Sequence, residues 1–117
     1  MPYMLLIHEP VGQRLTRTRT EGEAVYGRML KFAEDLKSEG LLLGVESLAS
    51  QDAAARVRVR AGKTQVIDGP FSEAKEMVGG FFLVNCATRE QALAIAARCP
   101  AAEWATLEVR ATGPCFL

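Results

Sequence analysis

Twice along this chain an apolar run leads into a capped amphipathic helix, and a second apolar run follows; that doubled pattern constrains the fold more than any other feature. The first unit opens with residues 3–8, apolar at both parities, as in a strand covered on two sides. Pro10 and Gly12 end it, and residues 13–20, with Arg14, Arg17 and Arg19 among threonines, read as an exposed loop. Thr20 and Glu23 then stand at the spacing of a capping box, in which each side chain satisfies a free backbone amide. Val25, Met29, Phe32 and Leu36 recur at helical spacing, and Gly40 falls where a left-handed residue closes a helix. The spacing predicts a helix over 21–39, and residues 41–48 read as the second strand.

In the other unit, residues 81–86 form a strand after Gly79-Gly80. Thr88 and Gln91 repeat the capping-box spacing, ahead of a helix with Ala92, Leu93, Ile95 and Ala96 that stops before Pro100. Residues 104–110 alternate as the last strand. Between the units, Arg56-Val57-Arg58-Val59-Arg60 alternates strictly, residues 61–63 supply a turn, and residues 64–67 return as a hairpin partner. Residues 68–71 break the strand, and residues 72–78 read as a polar connection with helical character.

The order β-α-β-(β-β)-β-α-β predicts one α+β domain over 1–117, a ferredoxin-like split βαβ sheet with an inserted hairpin and both helices on one face. The other face then carries apolar residues with nothing over them, and a second copy of the chain or a ligand cavity is the remedy. A homodimer is the expectation. A length of 117 residues leaves room for one domain only.

Lys plus Arg and Asp plus Glu both number 14, so the basic excess that displaces counterions from nucleic acid is missing and no nucleic-acid partner is expected. The apolar runs fall far short of the roughly 18 residues that span a bilayer, and the N-terminus lacks a basic-then-apolar leader, so no membrane association is expected. Three cysteines without a CxxC pair, beside a single histidine, argue against a metal site and for small buried hydrophobes in a reducing cytoplasm. No nucleophile elbow, phosphate loop or dinucleotide fingerprint is present, and no cofactor is expected.

The run Asp68-Gly69-Pro70-Phe71, followed by Glu73, Lys75-Glu76 and then Gly79-Gly80-Phe81, resembles the YCII-related superfamily, in its DGPF-domain branch. The opening Tyr3-Met4-Leu5-Leu6-Ile7, the Val57-Arg58-Val59 strand and the closing Glu108-Val109-Arg110 carry the likeness over essentially the whole chain. The resemblance implies a dimeric α+β barrel, two sheets facing each other across a shared interior. It also implies a regulatory alternative, a sigma-factor partner of the extracytoplasmic-function type. A His–Asp pair attributed to some relatives has no counterpart: the helix over 21–39 holds no histidine, and the segment after the second helix reads Cys99-Pro100.

Asp68, at a strand end before a sharp break, is the first catalytic candidate. Facing a dimer interior it would be desolvated and suited to general-base work; the alternative is an Asx turn in which its side chain fixes the bend. Histidine is the residue type suited to acid or base work near neutrality, which makes His8 the second candidate, beside a purely hydrogen-bonded role at its strand end. Arg58 shares a strand face with Arg56 and Arg60 and is a candidate hook for a carboxylate or phosphate, or an internal partner of Asp68. Phe71, Glu73, Lys75 and Glu76 are candidate ligand-binding residues at a cavity mouth, or a solvated connection. Tyr26, on the inner face of the first helix, is either a ligand contact or core with its hydroxyl reaching a partner. Proton-transfer chemistry of lyase or isomerase type on a small organic ligand, a regulatory module and a structural domain all remain open on these residues.

Overall fold

The structure, a computed structural model, describes residues 2–117. The chain runs β1 (Tyr3–Pro10), α1 (Arg19–Ser38), β2 (Leu42–Ser47), β3 (Ala55–Arg60), β4 (Lys63–Asp68), β5 (Glu76–Val84), α2 (Arg89–Arg98) and β6 (Thr106–Ala111), with short 3₁₀ turns at Gln13–Thr16, Gln51–Ala53 and Pro100–Glu103. Four strands form an antiparallel sheet in the order β2-β5-β1-β6, and β3 and β4 pair as a separate hairpin. This is the ferredoxin-like α+β arrangement that the element order predicts.

Both helices begin with complete capping boxes. Thr88 and Gln91 close the one on α2 as expected, but α1 uses Thr18 and Glu21 rather than Thr20 and Glu23. Both spacings exist in the sequence, and the earlier one wins because it lengthens the helix and brings Arg19 within 2.9 Å of Glu23 one turn on. The expected polar connection over 72–78 is also shorter than read. Its last residues join β5, where Glu76, Met77 and Val78 pair with Pro10, Glu9 and His8.

Alternation along the central strands sorts their side chains. Leu5, Ile7, Phe82 and Val84 face the helices and pack with Phe32, Leu36, Ala92, Ile95 and Ala96. Phe32 and Phe82 meet edge-to-face with centroids 5.2 Å apart. Met4, Leu6, Phe81 and Leu83 point the other way, flanked by His8, Glu108 and Arg110, and no helix covers them.

The hairpin stands out from this body. Every residue of β3 and β4 is exposed, Val57, Val59 and Val66 among them. The radius of gyration is 16.0 Å, against roughly 13–14 Å for a compact domain of this length. Its two-residue turn, Ala61-Gly62, has positive φ at both positions, as the right-handed twist of a tight hairpin requires.

Two exposed ion pairs tie elements far apart in sequence. Arg98 donates to Glu39 at 2.6 and 2.9 Å, joining the ends of the two helices, and Arg28 of α1 pairs with Glu103. In each case the arginine hydrogen bond holds the carboxyl below the usual carboxylate range. A depressed folded-state pKa contributes stability above the unfolded value of 4.5, and that stability is lost as pH falls through the folded value. Thermal midpoints measured from pH 7 downward are therefore expected to decline below about pH 4.5, and more shallowly in Glu39→Gln/Glu103→Gln. Because both pairs are solvent-exposed, the difference is small and shrinks in high salt.

Candidate functional site

An ion pair with a buried carboxylate marks the floor of a hollow under α1. On β1 the helix-facing positions run Leu5, Ile7, Glu9, so a carboxylate occupies a place that alternation reserves for the core. Glu9 is 7% exposed. The 3₁₀ turn at Gln13–Thr16 folds Arg14 back onto it. Arg14 donates through Nε to Glu9 Oε2 at 2.9 Å and through Nη2 to Glu9 Oε1 at 2.7 Å, a two-pronged fork. Its Nη1 donates to the Leu48 carbonyl at 2.8 Å, so the same guanidinium ties the turn to the strand end after β2.

Room for this pair comes from Gly79. The β1–β5 register slips between Ile7 and His8, leaving Gly79 as the extra, bulged residue between Gly80 and Val78. A Cβ there would lie 1.7 Å from Glu9 Oε1. Gly80 is as constrained, its absent Cβ pointing 2.7 Å from the Glu46 carbonyl oxygen. The glycine pair after the DGPF run thus admits the carboxylate on one strand and the close approach of β2 on the other.

Above the pair lies a cavity of about 500 Å³, walled by Ile7, Val25, Met29, Ala33, Val45 and Phe82 and rimmed by Arg17, Tyr26, Ser47 and Trp104. That volume and an apolar wall with few polar groups are what a small-molecule site needs. Trp104, the chain's single tryptophan, is flanked by two guanidiniums, Arg17 at 5.6 Å and Arg28 at 5.4 Å from the ring centroid. Gln13 Nε2 donates to the Trp104 carbonyl at 2.7 Å and fixes the rim from behind.

Of the residues singled out from sequence, Tyr26 lines this cavity. His8, Phe71 and Glu76 line a second, shallower hollow beside the base of the hairpin. There His8 Nε2 lies 2.8 Å from Glu108 Oε1 on the uncovered sheet face. Phe71 is buried, with the Arg56 guanidinium 3.7 Å above its ring, and Arg56 in turn donates to Glu73 at 3.0 Å. Glu73's own backbone amide, and after it the Arg56 hydrogen bond, hold its carboxyl below the usual range. Lys75 is exposed and contributes its backbone carbonyl to the Val11 amide.

Asp68 and Arg58 line neither hollow and do not meet. Across the hairpin Asp68 pairs with Ala55 and Arg58 with Gln65, which places them on opposite faces; an internal Asp68–Arg58 ion pair is corrected by that register. Arg58 hydrogen-bonds Gln65 instead. Asp68 is exposed, and among the described residues its side chain makes no hydrogen bond, so the Asx turn is not formed either. Gly69 owes its identity to close approach rather than to φ, since a Cβ would stand 2.1 Å from the Gln51 carbonyl oxygen.

Cys99 is buried, and burial pushes its thiol up to about 11, which makes it a packing group and not a nucleophile. Among the described residues no group of three His, Cys, Asp or Glu side chains is placed to hold a metal ion. Among the same residues no helix is long and apolar enough to cross a membrane.

Glu9, Arg14, Arg17 and Trp104 are absent from the sequence candidates. The available signal was an acid at the core parity of β1 with an arginine five residues later. A polar residue at a buried parity needs a partner, and Arg14 is the nearest cation in sequence.

The model of the YCII-related domain matches residues 1–113 of the chain. An uncharacterised protein of Rhizobium meliloti (strain 1021) is 34% identical over 93 residues, covering 80% of this chain and 75% of that protein.

Proposed function

The chain belongs to the YCII-related family, and on that premise we propose that it binds a small organic molecule in the cavity between α1 and the sheet, working as a homodimer. One observation carries the reading: an apolar cavity of about 500 Å³ has at its floor a buried Glu9 carboxylate held by the half-buried Arg14. A structural domain gains little from such a space, because packed interiors hold few voids larger than a water molecule. The dimer is supported by the uncovered stripe of Met4, Leu6, Phe81 and Leu83 and by the exposed valines of the hairpin. A free two-stranded hairpin is marginal in water, and a second copy seated on both surfaces forms the α+β barrel. A reducing, cytoplasmic setting belongs to the same proposal, supported by three free thiols.

The test uses neutral probes, so that only the space is interrogated. Benzyl alcohol titrated into the protein is expected to shift amide resonances of residues 22–33, 45–48 and 79–82 saturably, together with the Trp104 indole. Ala33→Trp, which fills the cavity, is expected to abolish the response. No shift at these residues sinks the reading, and a response abolished by Asp68→Asn would move the site to the hairpin and favour proton-transfer chemistry there. Sedimentation velocity at micromolar concentration is expected to give a dimer, and a stable monomer removes the barrel.

A further inference from the structure

The charges around the cavity are unequally spent, and their balance names a ligand class. Glu9 accepts two hydrogen bonds from Arg14. Arg14 has four of its five N–H donors engaged, two on Glu9 and two on the carbonyls of Leu48 and Gly79, and its charge is matched by Glu9. Glu46 also borders the cavity, but it pairs with Phe81 in the β2–β5 register, opposite in parity to Val45 and Ser47, so its side chain is directed to the far side of the sheet. Arg17 differs from all three. It lines the rim, half-buried, and among the described residues makes no ion pair or side-chain hydrogen bond. The nearby carboxylate of Glu21 is held by the Thr18 amide at 2.8 Å in the capping box. The Arg17 guanidinium rests on Trp104, which limits its freedom and leaves its in-plane donors available.

We propose that this cavity takes a compact apolar monocarboxylate, its hydrocarbon or aromatic body among Val25, Met29, Ala33, Val45 and Phe82 and its carboxylate on Arg17. The inference rests on the binding reading above and adds the sign of the ligand's charge. Among the described residues, a cation finds no unpaired carboxylate directed into this cavity. A neutral isostere fits the space and leaves Arg17 without its partner. The Tyr26 and Ser47 hydroxyls at the same rim supply further donors to an anion. Hydrogen bonds to a charged group at a partly buried site correspond to about a tenfold gain or more over a neutral equivalent.

Trp104, as the single tryptophan, reports on the rim directly. Its fluorescence is titrated with phenylacetate, phenylacetamide and phenethylamine on the full chain at low salt. The expected order is phenylacetate tightest by about tenfold or more, phenylacetamide next and phenethylamine weakest. In Arg17→Met, which keeps a long side chain against the indole, phenylacetate is expected to bind no better than phenylacetamide. Arg28→Met touches the same ring but belongs to the Glu103 pair, and the acid is expected to keep its preference there. Equal binding of acid and amide by the wild type overturns the inference while leaving the cavity reading standing. A preference that survives in Arg17→Met overturns it too. If none of the three probes perturbs Trp104, the binding reading itself fails and this inference with it.

Discussion

Phe82→Ala is expected to lower the unfolding free energy by about 3–5 kcal/mol, the largest loss from one truncation in this chain. Phe82 is 2% exposed, sits mid-strand in β5, and meets Phe32 of α1 edge-to-face. Removing the ring costs its transfer free energy and an aromatic contact, and the void it leaves opens onto the existing cavity. Neighbours cannot collapse into it easily, because the glycine bulge and the Glu9–Arg14 pair hold the opposite wall. In a domain of this size the loss corresponds to a thermal midpoint lower by roughly 10–20 °C. Urea unfolding followed by far-UV circular dichroism measures it. A loss below about 1 kcal/mol would mean that the sheet and α1 are held together elsewhere.

Gly69→Ala is the second large effect, and it acts locally. A Cβ at Gly69 would meet the Gln51 carbonyl oxygen at 2.1 Å and the Ala54 carbonyl oxygen at 3.2 Å, both backbone atoms that cannot swing aside. The Gly69 amide also donates to the Ala54 carbonyl at 2.7 Å, so the contact closes the base of the hairpin. The expected cost is about 3 kcal/mol, the upper end for overpacking, and it falls on the hairpin before the four-stranded sheet. Hydrogen exchange is expected to speed up over residues 51–71, with β1 and β5 protected as in the wild type. Limited proteolysis is expected to cut within the same span. Unchanged exchange there would show that the 51–54 turn yields to the extra methyl. Asp68→Asn, one residue earlier, is the contrast. With its side chain exposed and unbonded, it is expected to change stability by less than about 0.5 kcal/mol. The DGPF run therefore divides into a glycine required by packing, a buried Phe71 under Arg56, and an aspartate that packing does not explain.

What was legible in the sequence is what short-range physics writes there. Helical spacing from Val25 to Leu36, strict alternation from Arg56 to Arg60 and the box at Thr88 and Gln91 each depend on residues a few positions apart, and each gave its element. The start of α1 was ambiguous because Thr18 and Thr20 both stand at capping-box spacing, and only the folded helix, capped by Thr18 and Glu21, settles it. The first residues of β5 were hidden because Glu76 and Met77 look like a loop until Pro10 and Glu9 pair with them.

The element order and the family were determined by the sequence alone. The tertiary structure decided where the cavity lies and which charges reach it. Glu9 became a floor residue because a bulge at Gly79 made space for its carboxylate and a turn brought Arg14 back. Asp68 and Arg58 were separated by the register of a hairpin, which a count along the chain does not reveal. Periodicity is a property of neighbours in sequence; a site depends on strands and turns tens of residues apart, and its geometry exists only once they have met.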